Sequence, residues 1–232
     1  VFYFDPLYMA FLIPALLLSV GAQMWVKSSF ARYGKVANRR GLSGAEAARR
    51  ILSAAGLGDV RVETSQGFLS DHYDPRTKVL RLSPDVYSKA SIAAVGVAAH
   101  EAGHALQDAR GYAPLKLRSG LVPVAQIGSQ LAFPLLILGF FIGAMGLVKL
   151  GVILFAGAVL FQLVTLPVEF NASRRALAAL EGVGVLSGDE IPAARTVLSA
   201  AALTYVAAAV AAVAQLLYFL LRSGMLGGGR DE

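Results

Sequence analysis

Cysteine is absent from the 232 residues, which excludes disulfides, thiolate zinc ligands and cysteine nucleophiles. Charge is scarce as well. Asp, Glu, Lys and Arg make up 16% of the chain against 56% hydrophobic residues, a balance that excludes an ordinary soluble domain and implies membrane spans beside one modest polar region. Histidine is limited to three residues. The net charge of +6 does not argue for nucleic acid, because the basic residues are spread out and no aromatic-basic platform accompanies them. Asymmetric loop charge in a membrane protein accounts for them better, and no nucleic-acid partner is expected.

What the chain does have is long apolar runs. Leu7 to Trp25 is uncharged and long enough to cross a bilayer. With no basic residue before it and no small-residue cleavage site after it, this run reads as an anchor within residues 1–26. A second apolar stretch, 120–167, is punctuated by Gly146, Lys149 and Gly151, which predicts two spans, about 121–146 and 150–167, joined by a tight turn. An alanine-rich segment, 198–222, makes a fourth span suited to close helix packing. Basic residues concentrate between Lys27 and Arg118 and recur at Arg174, Arg175 and Arg195. The positive-inside rule therefore places the polar region 27–119 and the helical segment 168–197 in the cytoplasm, with both termini outside. Residues 223–232 form a glycine-rich tail.

Within the polar region, Ser43 and Glu46 have the spacing of a capping box, opening a helix that Gly56 or Gly58 ends. Val60 and Val62 alternate with charged residues, and Lys78–Leu82 is a second strand candidate closed by Ser83 and Pro84, so two short strands are expected. Gly67 to Pro75 reads as a loop or hairpin between them. An exposed strand edge in such a sheet could hold an extended peptide by main-chain hydrogen bonds.

His100-Glu101-Ala102-Gly103-His104 follows inside an alanine-rich helix from about Ser88 or Ser91 to Arg110. Residues four apart stack on one helix face, so His100 and His104 can turn toward one ion. Glu101, about 100° round the helix, stands beside that ion and can take a proton from water. This is the ligand-and-base pattern of a zinc hydrolase. A catalytic zinc needs a third protein ligand, and the candidates are His72, in Asp71-His72-Tyr73-Asp74, and Glu169, directly after an apolar span. Spacing does not choose between them. Three other readings remain open: a zinc-stabilised scaffold without catalysis, a transporter, and an intramembrane zinc protease with the metal helix itself embedded. The spans carry glutamines but no mid-span charge, which weakens the transporter.

His100 to Gln107 (HEAGHALQ), Leu69 to Tyr87 (LSDHYDPRTKVLRLSPDVY) and Leu166 to Leu177 (LPVEFNASRRAL) together resemble the YugP-like neutral zinc metallopeptidases, bacterial membrane proteins. The opening Phe2 to Pro14 also looks like that family, so the resemblance covers nearly the whole chain. It implies a relation to gluzincin membrane proteases such as HtpX and the CAAX-prenyl endopeptidases, where a later helix supplies a glutamate in an E-x-x-A-D pattern. On this sequence that glutamate is Glu169, with Ala172 in the alanine place and Ser173 where the aspartate is usual. The resemblance thus implies a mainly α membrane protein with about four transmembrane helices and a small cytoplasmic α+β, zincin-like catalytic domain. Its expected metal is Zn²⁺, held by His100, His104 and Glu169, with Glu101 as base. For a second oxyanion donor the residues offer His72, Tyr73, Tyr112, Arg174 and Arg175, and His72 is preferred as a histidine beside two acids in a loop. The expected setting is the bacterial inner membrane, and the expected substrate a membrane-associated or unfolded polypeptide.

Overall fold

The computed structural model describes residues 5–67 and 70–226. Residues 227–232 of the expected tail, the first residues of the opening segment and part of the Gly67–Pro75 loop lie outside them. The described chain is mostly helical: α1 Pro6–Tyr33, α2 Gly44–Ala54, α3 Pro84–Ser88, α4 Ile92–Ala109, α5 Ala113–Phe141, α6 Met145–Gly182 and α7 Glu190–Arg222, with strands β1 Arg61–Thr64, β2 His72–Asp74 and β3 Val79–Leu82. Helices α1, α5, α6 and α7 are each long and apolar enough to cross a membrane. They contribute residues to both of two compact units, one of residues 1–21, 117–166 and 204–232, the other of 22–116 and 167–203.

The first unit is built from apolar helix segments. Its centre is Ala132, Leu136, Val148, Val152, Phe155, Val159, Tyr218 and Phe219. Close approach needs small residues: a Cβ on Gly128 would lie 2.4 Å from the Leu154 carbonyl oxygen, and one on Gly151 would lie 3.0 Å from that of Ala132. The opposite faces leave Leu17, Ile137 and Ile153 at least 60% exposed, which suits a lipid solvent rather than water. The chain turns between α5 and α6 at Gly143, φ +70°, not at the expected 146–150. Gly146, Lys149 and Gly151 lie inside α6. At Gly151 the missing side chain serves helix packing instead of a turn.

The second unit has one continuous core in which α2, the sheet, α3, α4, the end of α6 and the start of α7 meet. The capping box is present: Ser43 Oγ accepts from the Glu46 amide and Glu46 accepts from the Ser43 amide, satisfying two donors that a helix start leaves orphaned. Gly56, φ +74°, takes the chain out of α2. The sheet has the order β1-β3-β2, with β1 parallel and β2 antiparallel to β3. The Gly67–Pro75 segment therefore contributes a third strand, and an Asp74 turn joins it to β3. Asp74 Oδ1 accepts from the Arg76 amide and Oδ2 from the Thr77 hydroxyl.

Helix α4 is capped by Ser91, whose Oγ accepts from the Ala94 amide at 3.2 Å. It ends at Arg110. Ala98, Ala99, Ala102 and Ala105 are buried, and α2 comes close because Gly44 has no Cβ, which would lie 3.0 Å from the Ala94 carbonyl oxygen and 3.1 Å from the Ala98 Cβ. Helix α4 is not among the four apolar helices able to cross a membrane. Its apolar surface is covered by protein, so its alanine-rich sequence is explained without embedding the helix in lipid.

Candidate metal centre

Two helices make the centre. Helix α4 carries His100 and His104 one turn apart on one face with Glu101 beside them, and α6 carries Glu169. What brings them together is backbone contact between Gly103, inside the His100–His104 stretch, and Ala172, three residues beyond Glu169: a Cβ on Gly103 would lie 2.5 Å from the Ala172 carbonyl oxygen and 3.1 Å from its carbon. Ala172 is fully buried. With no side chain at 103 and only a methyl at 172, α4 and α6 pack close enough for Glu169 to reach both imidazoles.

The Nε2 atoms of the histidines face the same carboxylate. His100 Nε2 stands 3.2 Å from Glu169 Oε2, and His104 Nε2 stands 3.7 Å from Glu169 Oε1. One ligand atom from each residue lies within 4.8 Å of the others. The rings are 4.8 Å apart between centroids and nearly perpendicular, at 86°. A tetrahedral zinc with bonds near 2.05 Å would hold its ligand atoms about 3.3 Å apart. The spacings found straddle that value. Two imidazoles and one buried carboxylate, with no thiolate, fit a zinc ion, and such donor sets are the ones catalytic rather than structural zinc sites use.

The electrostatics agree. Burial works against a charge on His104, but the Glu169 hydrogen bond and the nearby Glu101 carboxylate outweigh it and hold its pKa above the ordinary imidazole value. Two carboxylates converging on buried imidazoles favour a cation between them. Each ring is also gripped from behind: His100 Nδ1 lies 3.1 Å from Ser173 Oγ, and His104 Nδ1 lies 3.0 Å from Gln107 Oε1. Glu101 is 8% exposed, and no described residue donates a hydrogen bond to it, which leaves its oxygens available to a substrate proton.

The other residues singled out in the sequence lie elsewhere. His72 is exposed on β2, with Nδ1 2.8 Å from the Ser70 carbonyl oxygen and Nε2 3.5 Å from Arg81. Strand alternation sends its neighbour Tyr73 the opposite way, onto Asp108 of α4 at 2.9 Å. The structure does not bring His72 into the cluster. Arg175 donates to Asn171 at 2.7 Å and lies over the Tyr112 ring, while Arg174 is exposed. Gln107 was not legible as part of the site. Its one signal is its position, three residues beyond His104 on the same helix.

Residues 8–224 match the family described as "Putative neutral zinc metallopeptidase". The chain is similar to the "Putative membrane protease YugP" of Bacillus subtilis (strain 168), with 51% identity over 221 residues, covering 95% of this chain and 96% of that protein. No solved structure matches.

Proposed function

Because this chain belongs to the family described as "Putative neutral zinc metallopeptidase", we propose that it is a membrane-bound zinc metalloendopeptidase. The observation that carries this reading is the convergence of His100, His104 and Glu169 within 4.8 Å, with Glu101 beside them on α4. His100, His104 and Glu169 would hold the ion. Bound zinc supplies a Lewis acid that polarises a scissile carbonyl and makes water nucleophilic near neutral pH. Glu101 receives the proton of the attacking water on its carboxylate, keeps it while the tetrahedral carbon forms, and delivers it to the leaving amine. Ser173 and Gln107 hold the imidazoles in place during that transfer.

The substrate class we propose is a membrane-associated or unfolded polypeptide. Four helices suited to a bilayer keep the protein at a membrane, and an extended chain is what an exposed sheet edge can hold by main-chain hydrogen bonds. We place the site on the cytoplasmic side of the bacterial inner membrane, on the bias of Lys27, Arg32, Lys35, Lys116, Arg174 and Arg175 next to the apolar spans.

The test is cleavage of an unfolded protein such as casein by the detergent-purified chain, comparing wild type with Glu101→Gln at matched zinc content. Cleavage by the wild type alone is the expected result. Equal cleavage by both would remove Glu101 from its role. Cleavage by neither, with zinc bound, would favour a zinc-stabilised scaffold.

A further inference from the structure

Gln107 is a polar side chain with 0% exposure, a rarity unless every donor and acceptor is met. Here they are met. Its Nε2 donates to the Val168 carbonyl oxygen at 2.8 Å and to Asn171 Oδ1 at 3.0 Å. Two acceptors at one end of the amide settle which end is nitrogen. The oxygen therefore faces His104 Nδ1, at 3.0 Å.

An amide oxygen only accepts, so His104 has to present an N–H at Nδ1. In the neutral ring that leaves the lone pair on Nε2, the atom turned toward Glu169. His100 differs. Its Nδ1 meets the Ser173 hydroxyl, which can donate or accept and so does not select a tautomer. Gln107 is itself held firmly, because Asn171 Oδ1 also accepts from Arg175 Nε at 2.7 Å, and Arg175 lies 5.9 Å over the Tyr112 ring. Val168 and Asn171 flank Glu169 on α6. One buried amide thus joins the ligand on α4 to both sides of the ligand on α6.

We infer that Gln107 is the positioning residue of this centre, fixing the tautomer and orientation of His104 and tying it to the turn of α6 that carries Glu169. The inference rests on the metal reading of the site and not on peptide hydrolysis.

The experiment measures zinc dissociation constants by competition with a chromophoric chelator, on the full-length chain in detergent. Imidazole ¹⁵N–¹H spectra are recorded on the same samples with and without zinc, and three histidines make the assignment simple. Gln107→Met keeps length and volume but cannot hydrogen bond. Val168 stays within the hydrogen-bonded run of α6 and Asn171 keeps Arg175, so this change strands only the His104 Nδ1–H.

The expected result is zinc binding weakened by about 10–100-fold, with loss of an exchange-protected His104 Nδ1–H signal seen in the wild type. Ser173→Ala should weaken binding less. If Gln107→Met does not fold, Asn171→Ala, at a half-buried position, should shift affinity and the Nδ1–H signal in the same direction. A dissociation constant within about threefold of wild type, with the Nδ1–H signal unchanged, would overturn the inference. The spectra without zinc report on Gln107 by themselves, so a wild type that binds no zinc overturns the metal reading separately, and casein cleavage has no part in the outcome.

Discussion

Replacing Gly103 with alanine separates two physical effects that usually travel together. Alanine in a helix interior is favoured over glycine by about 1 kcal/mol, so on propensity alone the change stabilises. At this position, however, the new Cβ would stand 2.5 Å from the Ala172 carbonyl oxygen and 3.3 Å from its Cα. Both neighbours are backbone and cannot rotate away. Restoring an ordinary carbon–oxygen contact requires α4 and α6 to part by about 1 Å, and overpacking of this kind costs roughly 1–3 kcal/mol. Net stability should therefore fall by about 0–2 kcal/mol. Metal binding should suffer far more. Ligand distances tolerate deviations of about 0.2 Å, and the parting moves Glu169 away from both histidines. Zinc affinity is expected to drop by about tenfold or more. Gly96→Ala is the control on the same helix, since its Cβ would meet only Ala194, at 3.8 Å from its Cβ and 4.0 Å from its Cα, ordinary contacts. That variant should be neutral or up to about 1 kcal/mol more stable, with wild-type affinity. Zinc titration and thermal unfolding in chelator measure both quantities. A Gly103→Ala protein that binds zinc like wild type would refute the argument that this backbone contact assembles the centre.

Three further expectations concern the same residues. Glu169→Ala should leave His100 and His104 unable to retain zinc through dialysis, read by metal analysis; full occupancy would require another third ligand. Zinc has to displace the proton of His104, whose pKa is raised by Glu169 and Glu101. A raised pKa means that the proton competes up to a higher pH, so affinity should fall by about tenfold per pH unit and per displaced proton once pH drops below that value. An affinity that stays flat from about pH 8 to pH 6 would contradict this linkage. His72→Ala should change casein cleavage by less than about threefold, because the ring is exposed and engaged with Ser70; removal of a true oxyanion donor costs about 10²–10³ in kcat.

The parts legible in the sequence are those set by short-range geometry. The Ser43–Glu46 capping box follows from the needs of orphaned helix groups, and of the two serines that could open α4 the structure uses Ser91. The pairing of His100 with His104 follows from the helical period. Strand β3 was recognisable as a short apolar run, but β2 was not, since its three residues, held by the Asp71 contact to Ser83 and by the Asp74 turn, carry no period of their own. Glycine misled at the α5–α6 connection, because a missing Cβ can permit a turn, as at Gly143, or close helix approach, as at Gly151.

The metal centre shows the same division at closer range. Two of its ligands sit on one turn of one helix, where spacing in sequence is distance in space. The third lies on another helix, and its position depends on whether two backbones can touch. Gly103 and Ala172 decide that, through what they lack. A small residue leaves no periodic or charged mark in a sequence already rich in alanine and glycine, so its partner cannot be read from the chain itself. The same holds for Gln107, whose acceptors, Val168 and Asn171, belong to the far helix. That is why only the resemblance ranks Glu169 above His72, although in the structure the contact is plain: Ala172, with its single methyl, lies against the one glycine between His100 and His104.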